Sequence, residues 1–489
     1  MRNIGLIICF FLCVLTMSLA QNYFNRIIEF PNKSPNPGIL ELDDENYIIG
    51  SINFIDNLSS SSIITVNKID LSHNIFDYKG FAFGRNGLFV DDGGYYSFGN
   101  NFIDKSKLSF NIYNEDWEVE NTFDYEPLHG RRAAFGSNLI DGFIYGPSRD
   151  ESDSLDLKEV TLKKIALDGT EVWSKNYGLS DDYTFTWEVE RSDDGNILMT
   201  ARIEPPNFFG SQSRLYKIDT AGNILWTFTT IEEPLIATPC WVSALNNGEI
   251  LVSRKLDYSQ NWDHLLSGYY QYPPEFIWLD SDGKLIRDTL ILSETQNELF
   301  ISGHTSSEEG YTIVYGVNEP SGGSLQKGWL FKMDNDGEII WSKTYLHPQF
   351  PDRDHRITDI EILENGDIVC LGGISKGGEK SEIWLFKINS NGCFGDSSCE
   401  DDLIYTYTKD ISISDAIFVY PNPTSGEINF NDITNLKSYS ILDLTGRVLI
   451  DNTKISEQID LSFLPQGIYL ITIVTSTGNK NTSKIFISN

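Results

Sequence analysis

Short runs of apolar and polar residues fill most of the chain, and turn residues separate the runs. In one run Trp329, Phe331 and Met333 occupy alternate positions, which is the period of a half-buried β-strand. An Asp-Gly pair follows and suits a tight hairpin turn, because glycine adopts positive φ without strain. A return strand then reaches Trp341. The pattern predicts an all-β protein built from hairpins.

This hairpin pattern recurs along the chain. The segment Lys332–Trp341 returns in similar form as Lys217–Trp226 and Lys164–Trp173. Looser copies begin at Lys68, Asn111, Trp278 and Lys387. Neighbouring copies start 43 to 61 residues apart. Such a period indicates a repeat architecture.

A second hairpin pattern alternates with the first. Its clearest copies are Ile362–Val369, Val242–Val252, Val189–Met199 and Val90–Phe98. Two hairpins per period of about 50 residues make four strands per unit, which is typical of propeller blades. Seven units predict a seven-bladed β-propeller over residues 21–399. The alternatives are stacked sandwiches or a β-helix, whose repeat would be shorter, about 20–30 residues.

The two ends of the repeat region complement each other. The last copy of the first pattern, Ile383–Asn389, is not followed by a return strand with tryptophan. The segment Arg26–Phe30 has the pattern of a strand and precedes the first blade. We therefore expect residues 26–30 to pair into the last blade and close the ring, which removes exposed sheet edges.

The recurring Asp, Gly and Trp resemble the blades of WD40-like and quinoprotein-like β-propellers. The Gly-His and Trp-Asp signatures of WD40 repeats are not matched. Quinoprotein enzymes need a calcium-bound quinone and a pair of adjacent cysteines, and this sequence has no adjacent cysteines. The resemblance thus supports the architecture and not the redox chemistry, and we expect no cofactor.

Residues 1–20 have the three parts of a secretory signal peptide. Arg2 gives a basic start, residues 4–15 are apolar, and Ser18-Leu19-Ala20 resembles a cleavage site. The apolar stretch is shorter than the ~20 residues that span a bilayer. We expect the peptide to be removed and the mature chain to have no transmembrane segment.

Charge and cysteine content fit an exported protein. A formal net charge of −33 repels phosphate backbones, so we expect no nucleic-acid binding. Cys393 and Cys399 lie six residues apart in a loop-forming segment, which predicts a disulfide in an oxidising compartment. Cys240 and Cys370 follow apolar runs and are expected to be buried and free, with a second bridge as the alternative.

The pattern changes after a polar linker, which we place at residues 400–414. Seven short strands are predicted within residues 415–489, typical of a small immunoglobulin-like antiparallel β-sandwich. Four motifs stand in order along this segment: Val419–Gly426, Asp443–Arg447, Leu464–Tyr469 and Lys484–Ile487.

These four motifs resemble the type A C-terminal sorting domain of the Bacteroidetes type IX secretion system. The motif residues are Pro421, Asn422, Pro423, Gly426, Gly446, Gly467 and Tyr469. The resemblance implies that the type IX secretion machinery is a partner and that the protein is secreted or held on the outer cell surface. The alternative is an ordinary immunoglobulin-like accessory domain.

Two groups of side chains are candidates for ligand binding. The widest repeat interval contains Trp262, Tyr269, Tyr270 and Tyr272, and aromatic rings on a long loop can stack on sugars. His129 and His355 stand in charged segments before predicted inner strands, where either could supply an acid or base. The alternatives are a loop packed over its own blade and solvated loops with weak surface ion pairs.

Metal binding is not expected. None of the six histidines has the spacing of a known metal motif. Asp280–Gly283 and Asp334–Gly337 resemble calcium loops, but they lack the distal glutamate and suit hairpin turns instead.

We expect a non-enzymatic exported propeller that binds an extracellular glycan or protein. The alternative is a propeller hydrolase or lyase that acts on glycans. Two carboxylates that converge on one face would favour the enzyme.

Overall fold

The structure is a computed structural model, and the regular elements of its described residues are 36 β-strands, β1–β36 in chain order. The chain divides into two compact units, chiefly between Lys409 and Asp410. The described residues are 23–29, 35–55, 58–79, 81–91, 94–101, 107–125, 136–151, 158–177, 183–204, 212–230, 236–257, 274–293, 298–320, 325–375, 381–395, 399, 406–410, 419–420, 424, 426–430, 433, 436–443, 447–452, 458–475 and 480–487.

The large unit contains seven four-stranded blades, and consecutive strands pair within each blade. Blades 1 to 4 consist of β2–β5 (Pro35–Leu42, Asn46–Ile55, Leu58–Asn67, His73–Lys79), β6–β9 (Phe81–Asp91, Gly94–Asn101, Leu108–Tyr113, Val119–Tyr125), β10–β13 (Asn138–Ile140, Phe143–Glu151, Lys158–Ala166, Glu171–Asn176) and β14–β17 (Tyr183–Arg191, Ile197–Glu204, Gln212–Ile218, Ile224–Thr229). Blades 5 to 7 consist of β18–β21 (Ile236–Ala244, Ile250–Asp257, Pro274–Leu279, Leu285–Ser293), β22–β25 (Glu298–Ser307, Tyr311–Glu319, Lys327–Asp334, Ile339–Tyr345) and β26–β28 (Asp354–Ile362, Ile368–Ser375, Glu382–Ile388) with β1 (Asn25–Ile28). The predicted seven-bladed β-propeller is confirmed.

Strand β1 completes blade 7 from the opposite end of the chain. It runs antiparallel to β28, with Arg26 opposite Leu385 and Ile28 opposite Ile383. Ile28 is buried against the same hydrophobic cluster as Ile383. The predicted closure is confirmed for residues 26–28, and Phe30 lies outside the described residues.

The core of the propeller lies between blades. Each of seven hydrophobic clusters in its described residues combines residues of two neighbouring blades. Ile48 and Leu88 join blades 1 and 2, for example, and Leu40 and Leu385 join blades 1 and 7. Alternate residues of a strand point to opposite faces, so each blade buries one face against each neighbour.

The tryptophan that recurs in the sequence couples one blade to the next. Its indole Nε1–H donates to a backbone oxygen in the outer turn of the following blade. The donors and acceptors are Trp173 and Thr220 (3.1 Å), Trp226 and Ser281 (3.0 Å), and Trp341 and Ser390 (3.1 Å). The repeat motif therefore encodes contacts between blades as well as the hairpin itself.

The two segments that resemble calcium loops are hairpin turns. Asp280 Oδ1 accepts hydrogen bonds from the N–H groups of Asp282 and Lys284, and Gly283 has a φ of 80°. Asp334 Oδ1 accepts equivalent bonds in the turn between β24 and β25. This confirms the hairpin interpretation, because side chains of Asp satisfy their own turn.

The small unit is a β-sandwich of two antiparallel sheets. One sheet has the order β30-β31-β34 and the other β33-β32-β35-β36. Side chains of both sheets, Ile428 and Ile471 among them, share one hydrophobic cluster. The strands β30–β36 are Val419–Tyr420, Glu427–Phe430, Leu436–Leu442, Val448–Asn452, Gln458–Asp460, Gly467–Thr475 and Lys480–Ile487. The seven-stranded sandwich predicted from the sequence is confirmed.

The domain boundaries stay predictions. The signal peptide at residues 1–20 lies outside the described residues. Within the predicted linker, 400–414, the described residues Thr406–Asp410 form strand β29.

The predicted disulfide is present. Cys393 and Cys399 are bonded, whereas Cys240 and Cys370 are free and buried, as the sequence predicted. The disulfide lies just after the last propeller strand, where Lys343 Nζ of blade 6 is 3.0 Å from Cys399 Sγ. It therefore fixes the end of the propeller against the neighbouring blade.

Replacing both cysteines (Cys393→Ser with Cys399→Ser) is expected to lower the free energy of unfolding by about 2 kcal/mol. The cross-link closes a short loop, and a short loop restricts the unfolded chain only moderately. Urea unfolding with and without a reducing agent measures this. Reduction should lower the midpoint of the original protein and leave the double variant unchanged, and equal midpoints for the original protein would contradict the expectation.

Candidate functional site

A cavity of about 330 Å³ lies at the centre of the propeller. The first strand of each blade, or the residue just before it, contributes to the wall. One lining residue from each of the seven blades is Leu40, Phe89, Asn138, Glu190, Ser243, Ser306 and Ile360. The cavity is therefore the central channel of the ring, where the innermost strands of all blades meet.

Acidic side chains dominate the charge of this channel. They come from blades 1, 4 and 7 and are Glu41, Glu188, Glu190, Asp193, Asp359 and Glu361. In the antiparallel register Glu361 stands opposite Val369, Glu190 opposite Leu198 and Glu41 opposite Ile48. The pairs Glu188/Glu190 and Asp359/Glu361 each occupy alternate positions of an innermost strand, and all four residues line the channel.

Two of the acids join innermost strands to each other. Glu188 Oε2 accepts a hydrogen bond from the N–H of Val242 at 2.7 Å, and Asp359 Oδ2 accepts one from the N–H of Leu40 at 2.8 Å. A β-bulge immediately precedes both acids. A bulge re-aims the side chains that follow it, which explains how these carboxylates reach the next blade.

The other three glutamates of the channel, Glu41, Glu190 and Glu361, are enclosed by the ring and line the cavity. Burial raises the pKa of Glu190 to about 7. Burial, and then the charge of Asp359, raise the pKa of Glu361 to about 8. Burial, and then the charges of Glu361 and Asp359, raise the pKa of Glu41 well above its ordinary value. Glu190 and Glu361 therefore exchange protons near neutral pH.

Positive charge in the channel wall comes from Arg191, which is half exposed. Its Nε lies 3.2 Å from Asp141 Oδ1, outside the set of cavity-lining residues. The lining residues include no lysine. Among the described lining residues, acidic side chains therefore outnumber basic ones.

His304 lies in the wall of the same channel and is 6% exposed. Its Nδ1 is 2.7 Å from Ser253 Oγ, whereas its Nε2 has no hydrogen-bond partner in the described part of the chain. Burial lowers the pKa of the imidazole to about 3, so the ring is neutral at physiological pH. Ser137 Oγ, also in the wall, likewise has no partner among the described residues.

The channel therefore offers carboxyl groups, hydroxyls and an imidazole nitrogen to a polar ligand. Tyr315 OH adds a hydrogen bond to Asp359 Oδ1 at 3.3 Å, which links blade 6 to the acids of blade 7. Among the described residues, no three or more His, Cys, Asp or Glu side chains are placed to hold a metal ion together.

Trp262, Tyr269, Tyr270, Tyr272 and His129 fall outside the described residues, so their roles stay predictions.

His355 is fully buried and is not part of the channel wall. Its Nε2 accepts a hydrogen bond from the N–H of His347, its Nδ1 is 2.7 Å from the oxygen of Arg353, and its ring packs edge-on against Trp384. These contacts hold the segment before β26 in place, and a ligand-binding role for His355 stays a prediction.

The channel acids were missed in the sequence, although a signal was present. Glu188-Val-Glu190 and Asp359-Ile-Glu361 share an acid–aliphatic–acid pattern just before a hairpin turn. Searching the second hairpin pattern for acids at alternate positions would have found both pairs.

The C-terminal motif residues that are described have structural roles. Gly426 has a φ of 132°, a conformation that favours glycine, and its oxygen accepts a hydrogen bond from the N–H of Leu461. Gly467 begins strand β35, and Tyr469 OH donates to the oxygen of Pro465 at 2.8 Å. Pro421, Asn422, Pro423 and Gly446 lie outside the described residues.

Residues 418–488 match the secretion system C-terminal sorting domain. The sorting domain directs the protein to secretion or to the outer cell surface, and the type IX secretion machinery is its partner. In the described part of the chain, no helix has the length and apolar character to cross a membrane. No curated protein matches the chain.

Several solved structures are similar in fold to this chain at low sequence identity. The α-L-arabinanase of Penicillium chrysogenum is 11% identical with a TM-score of 0.40, and the match covers 74% of this chain and 99% of that one. The hydrazine synthase of Kuenenia stuttgartiensis is 10% identical with a TM-score of 0.45 over 75% of this chain and 99% of that one. An endo-arabinase of Bacteroides thetaiotaomicron is 9% identical with a TM-score of 0.31 over 62% of this chain and 92% of that one. Similarities at this level say nothing about what this chain binds.

Proposed function

We propose that the exported propeller binds an extracellular glycan in its central channel. The observation that carries this proposal is the convergence of acidic and hydroxyl side chains from six of the seven blades on one cavity. Sugar hydroxyls donate hydrogen bonds to carboxylates and accept them from Ser and Thr hydroxyls. The volume of about 330 Å³ is in the range of small-ligand sites and is too small for a folded protein.

A second candidate is hydrolysis of a glycan in the same channel. Glu361, whose pKa is raised to about 8, stands two residues from Asp359, which accepts hydrogen bonds from the N–H groups of Leu40 and Ile360. One carboxyl that keeps its proton at neutral pH and a second that acts as an acceptor are the two groups that glycoside hydrolysis uses.

Glycan-array binding by the exported chain, residues 21–489, tests the proposal. Retained glycans are then titrated calorimetrically into the original protein and into the variant Glu361→Gln. We expect this variant to bind about tenfold more weakly, a loss of about 1.4 kcal/mol, because the amide replaces a hydrogen-bonding oxygen of a channel carboxyl. The matched control is Glu364→Gln, an exposed acid on the hairpin turn that follows β26.

The outcomes separate the candidates. Retention of a glycan with weaker binding by Glu361→Gln and unchanged binding by Glu364→Gln supports the channel as the site. Release of reducing sugar from that glycan, lost in Glu361→Gln, supports hydrolysis. An array that retains no glycan, or full affinity in Glu361→Gln, contradicts the proposal.

A further inference from the structure

The two sulfurs of the disulfide that follows β28 stand in different surroundings. Cys393 is 2% exposed and ends the turn after β28, whereas Cys399 is exposed. The Sγ of Cys393 accepts a hydrogen bond from the N–H of Cys399 at 3.0 Å. A thiol from solution therefore reaches the sulfur of Cys399 more readily than that of Cys393.

A buried lysine of the neighbouring blade lies beside both sulfurs. Lys343 of β25 is 6% exposed, and its Nζ is 3.0 Å from the Sγ of Cys399 and 3.7 Å from the Sγ of Cys393. An adjacent lysine favours the thiolate form of a cysteine, and a stabilised thiolate leaves a disulfide faster. The ammonium is thus placed to stabilise negative charge on the attacked sulfur and on the sulfur that leaves.

The internal repeat explains how this lysine comes to lie against sulfur. Lys175 occupies the same place in blade 3, two residues after the recurring tryptophan, and its Nζ donates to Asn223 Oδ1 of the next blade at 2.8 Å. Asn223 directly follows the glycine of its turn, as Cys393 does in blade 7. The cysteine therefore stands where blade 4 presents an ordinary polar acceptor to the lysine.

We propose that the Cys393–Cys399 disulfide is a site of exchange with a low-molecular-weight thiol, in which Cys399 is attacked and Cys393 leaves. The incoming thiolate forms a bond to the Sγ of Cys399 while the bond between the two protein sulfurs breaks. The electron pair of the broken bond stays on the Sγ of Cys393 as a thiolate. A second thiolate then attacks the added sulfur, which releases Cys399 as a thiolate. The two external thiols are oxidised to a disulfide and supply both electrons.

Exchange at this site leaves the contacts between blades 6 and 7 in place. Tyr345 OH donates to the oxygen of Gly392 at 2.8 Å, and Trp341 Nε1–H donates to that of Ser390 at 3.1 Å. Neither contact involves a sulfur, so the turn after β28 stays attached to blade 6 when the disulfide opens. Cys399 loses its covalent tie to this turn. The step is therefore a reversible modification of the folded propeller.

Brief reaction of the exported chain, residues 21–489, with glutathione at pH 7 tests the direction of attack. After an acid quench and alkylation of the free thiols, peptide mass spectrometry identifies the cysteine that carries glutathione. We expect at least about tenfold more glutathione on Cys399 than on Cys393. An equal division, an excess on Cys393 or the absence of any adduct contradicts the proposal.

Three variants separate the charge of the lysine from its packing. We expect Lys343→Met to slow the opening of the disulfide by glutathione about tenfold, and Lys343→Arg to retain most of the rate. The matched control Lys175→Met removes the equivalent lysine of blade 3 and should leave the rate unchanged. A lysine that only packs the turn would act in the opposite direction, because its loss would loosen the segment and speed the reaction. An unchanged or faster rate in Lys343→Met therefore overturns the proposal.

A variant with one thiol at the site measures the leaving group directly. In Cys399→Ser the thiol of Cys393 is free, and its alkylation by iodoacetamide at pH 7 is followed by peptide mass spectrometry. Adding Lys343→Met should slow this alkylation about tenfold, whereas adding Lys175→Met should not change it. Equal rates in all three proteins would show that the ammonium does not stabilise the thiolate of Cys393.

Discussion

A chain that lacks residues 21–29 is expected to lose most of the stability of its propeller. This deletion removes β1, which supplies the fourth strand of blade 7 and pairs along β28 from Asn25 to Ile28. It also exposes the edge of β28, and an unpaired edge strand promotes aggregation. We expect a loss of more than about 5 kcal/mol, comparable with the whole stability of many domains, and aggregation visible in size-exclusion chromatography.

A point substitution tests the same contact without a deletion. Ile28 is 3% exposed and packs with Leu40, Ile383 and Leu385 between blades 7 and 1. Ile28→Ala should lower the free energy of unfolding by about 2–5 kcal/mol, because it leaves a cavity at the closure. Arg26→Ala on the same strand removes an exposed side chain and should change stability by less than about 0.5 kcal/mol. Equal urea midpoints for the two variants would show that closure contributes little.

The second large effect concerns pH. The pKa of Glu361 is raised from its ordinary value of 4.5 to about 8, so the folded protein binds this proton more tightly than the unfolded chain does. The associated stability is fully present below pH 4.5 and is lost as pH rises through 8. Glu190 adds a loss between pH 4.5 and 7. At about 1.4 kcal/mol per pH unit, Glu361 alone contributes on the order of a few kcal/mol.

Urea unfolding at pH 5, 7 and 9 measures this dependence in the ligand-free protein. Glu361→Gln cannot ionise, so it should be more stable than the original protein at pH 9 and should flatten the decline with pH. Glu364→Gln keeps the channel acids and should follow the original protein. The same pH dependence in Glu361→Gln as in the original protein would mean that the channel does not raise the pKa of this carboxyl.

Local patterns explain why the architecture was predictable. The turn around Asp280 and Gly283 is determined by neighbours within five residues, and the same chemistry recurs at Asp219 with Gly222 and at Asp334 with Gly337. Closure was also predictable, because the last copy lacks a return strand and Arg26 begins one near the start of the mature chain. Both inferences need only the order of strands and not their positions in space.

The channel could not be predicted in the same way. Glu41 and Glu361 are about three hundred residues apart, and each occupies a polar position of an ordinary alternating strand. Only the packing of seven blades into a ring brings them together, and that packing depends on side chains from two blades at a time. His355 illustrates the same dependence on packing, because it stands in a charged segment of the sequence and folding places its ring against Trp384.

Strand β1 also sets the order in which the molecule can complete its fold. Residues 25–28 are synthesised first, and the partner strand Glu382–Ile388 follows more than three hundred residues later. At about 5–20 residues per second, that interval is roughly 20–70 seconds of translation. During it the first strand has no partner, and joining such distant segments is intrinsically slow. The closed ring therefore forms only after the whole propeller has been synthesised. Until then β1 cannot pair with β28, and the ring stays open.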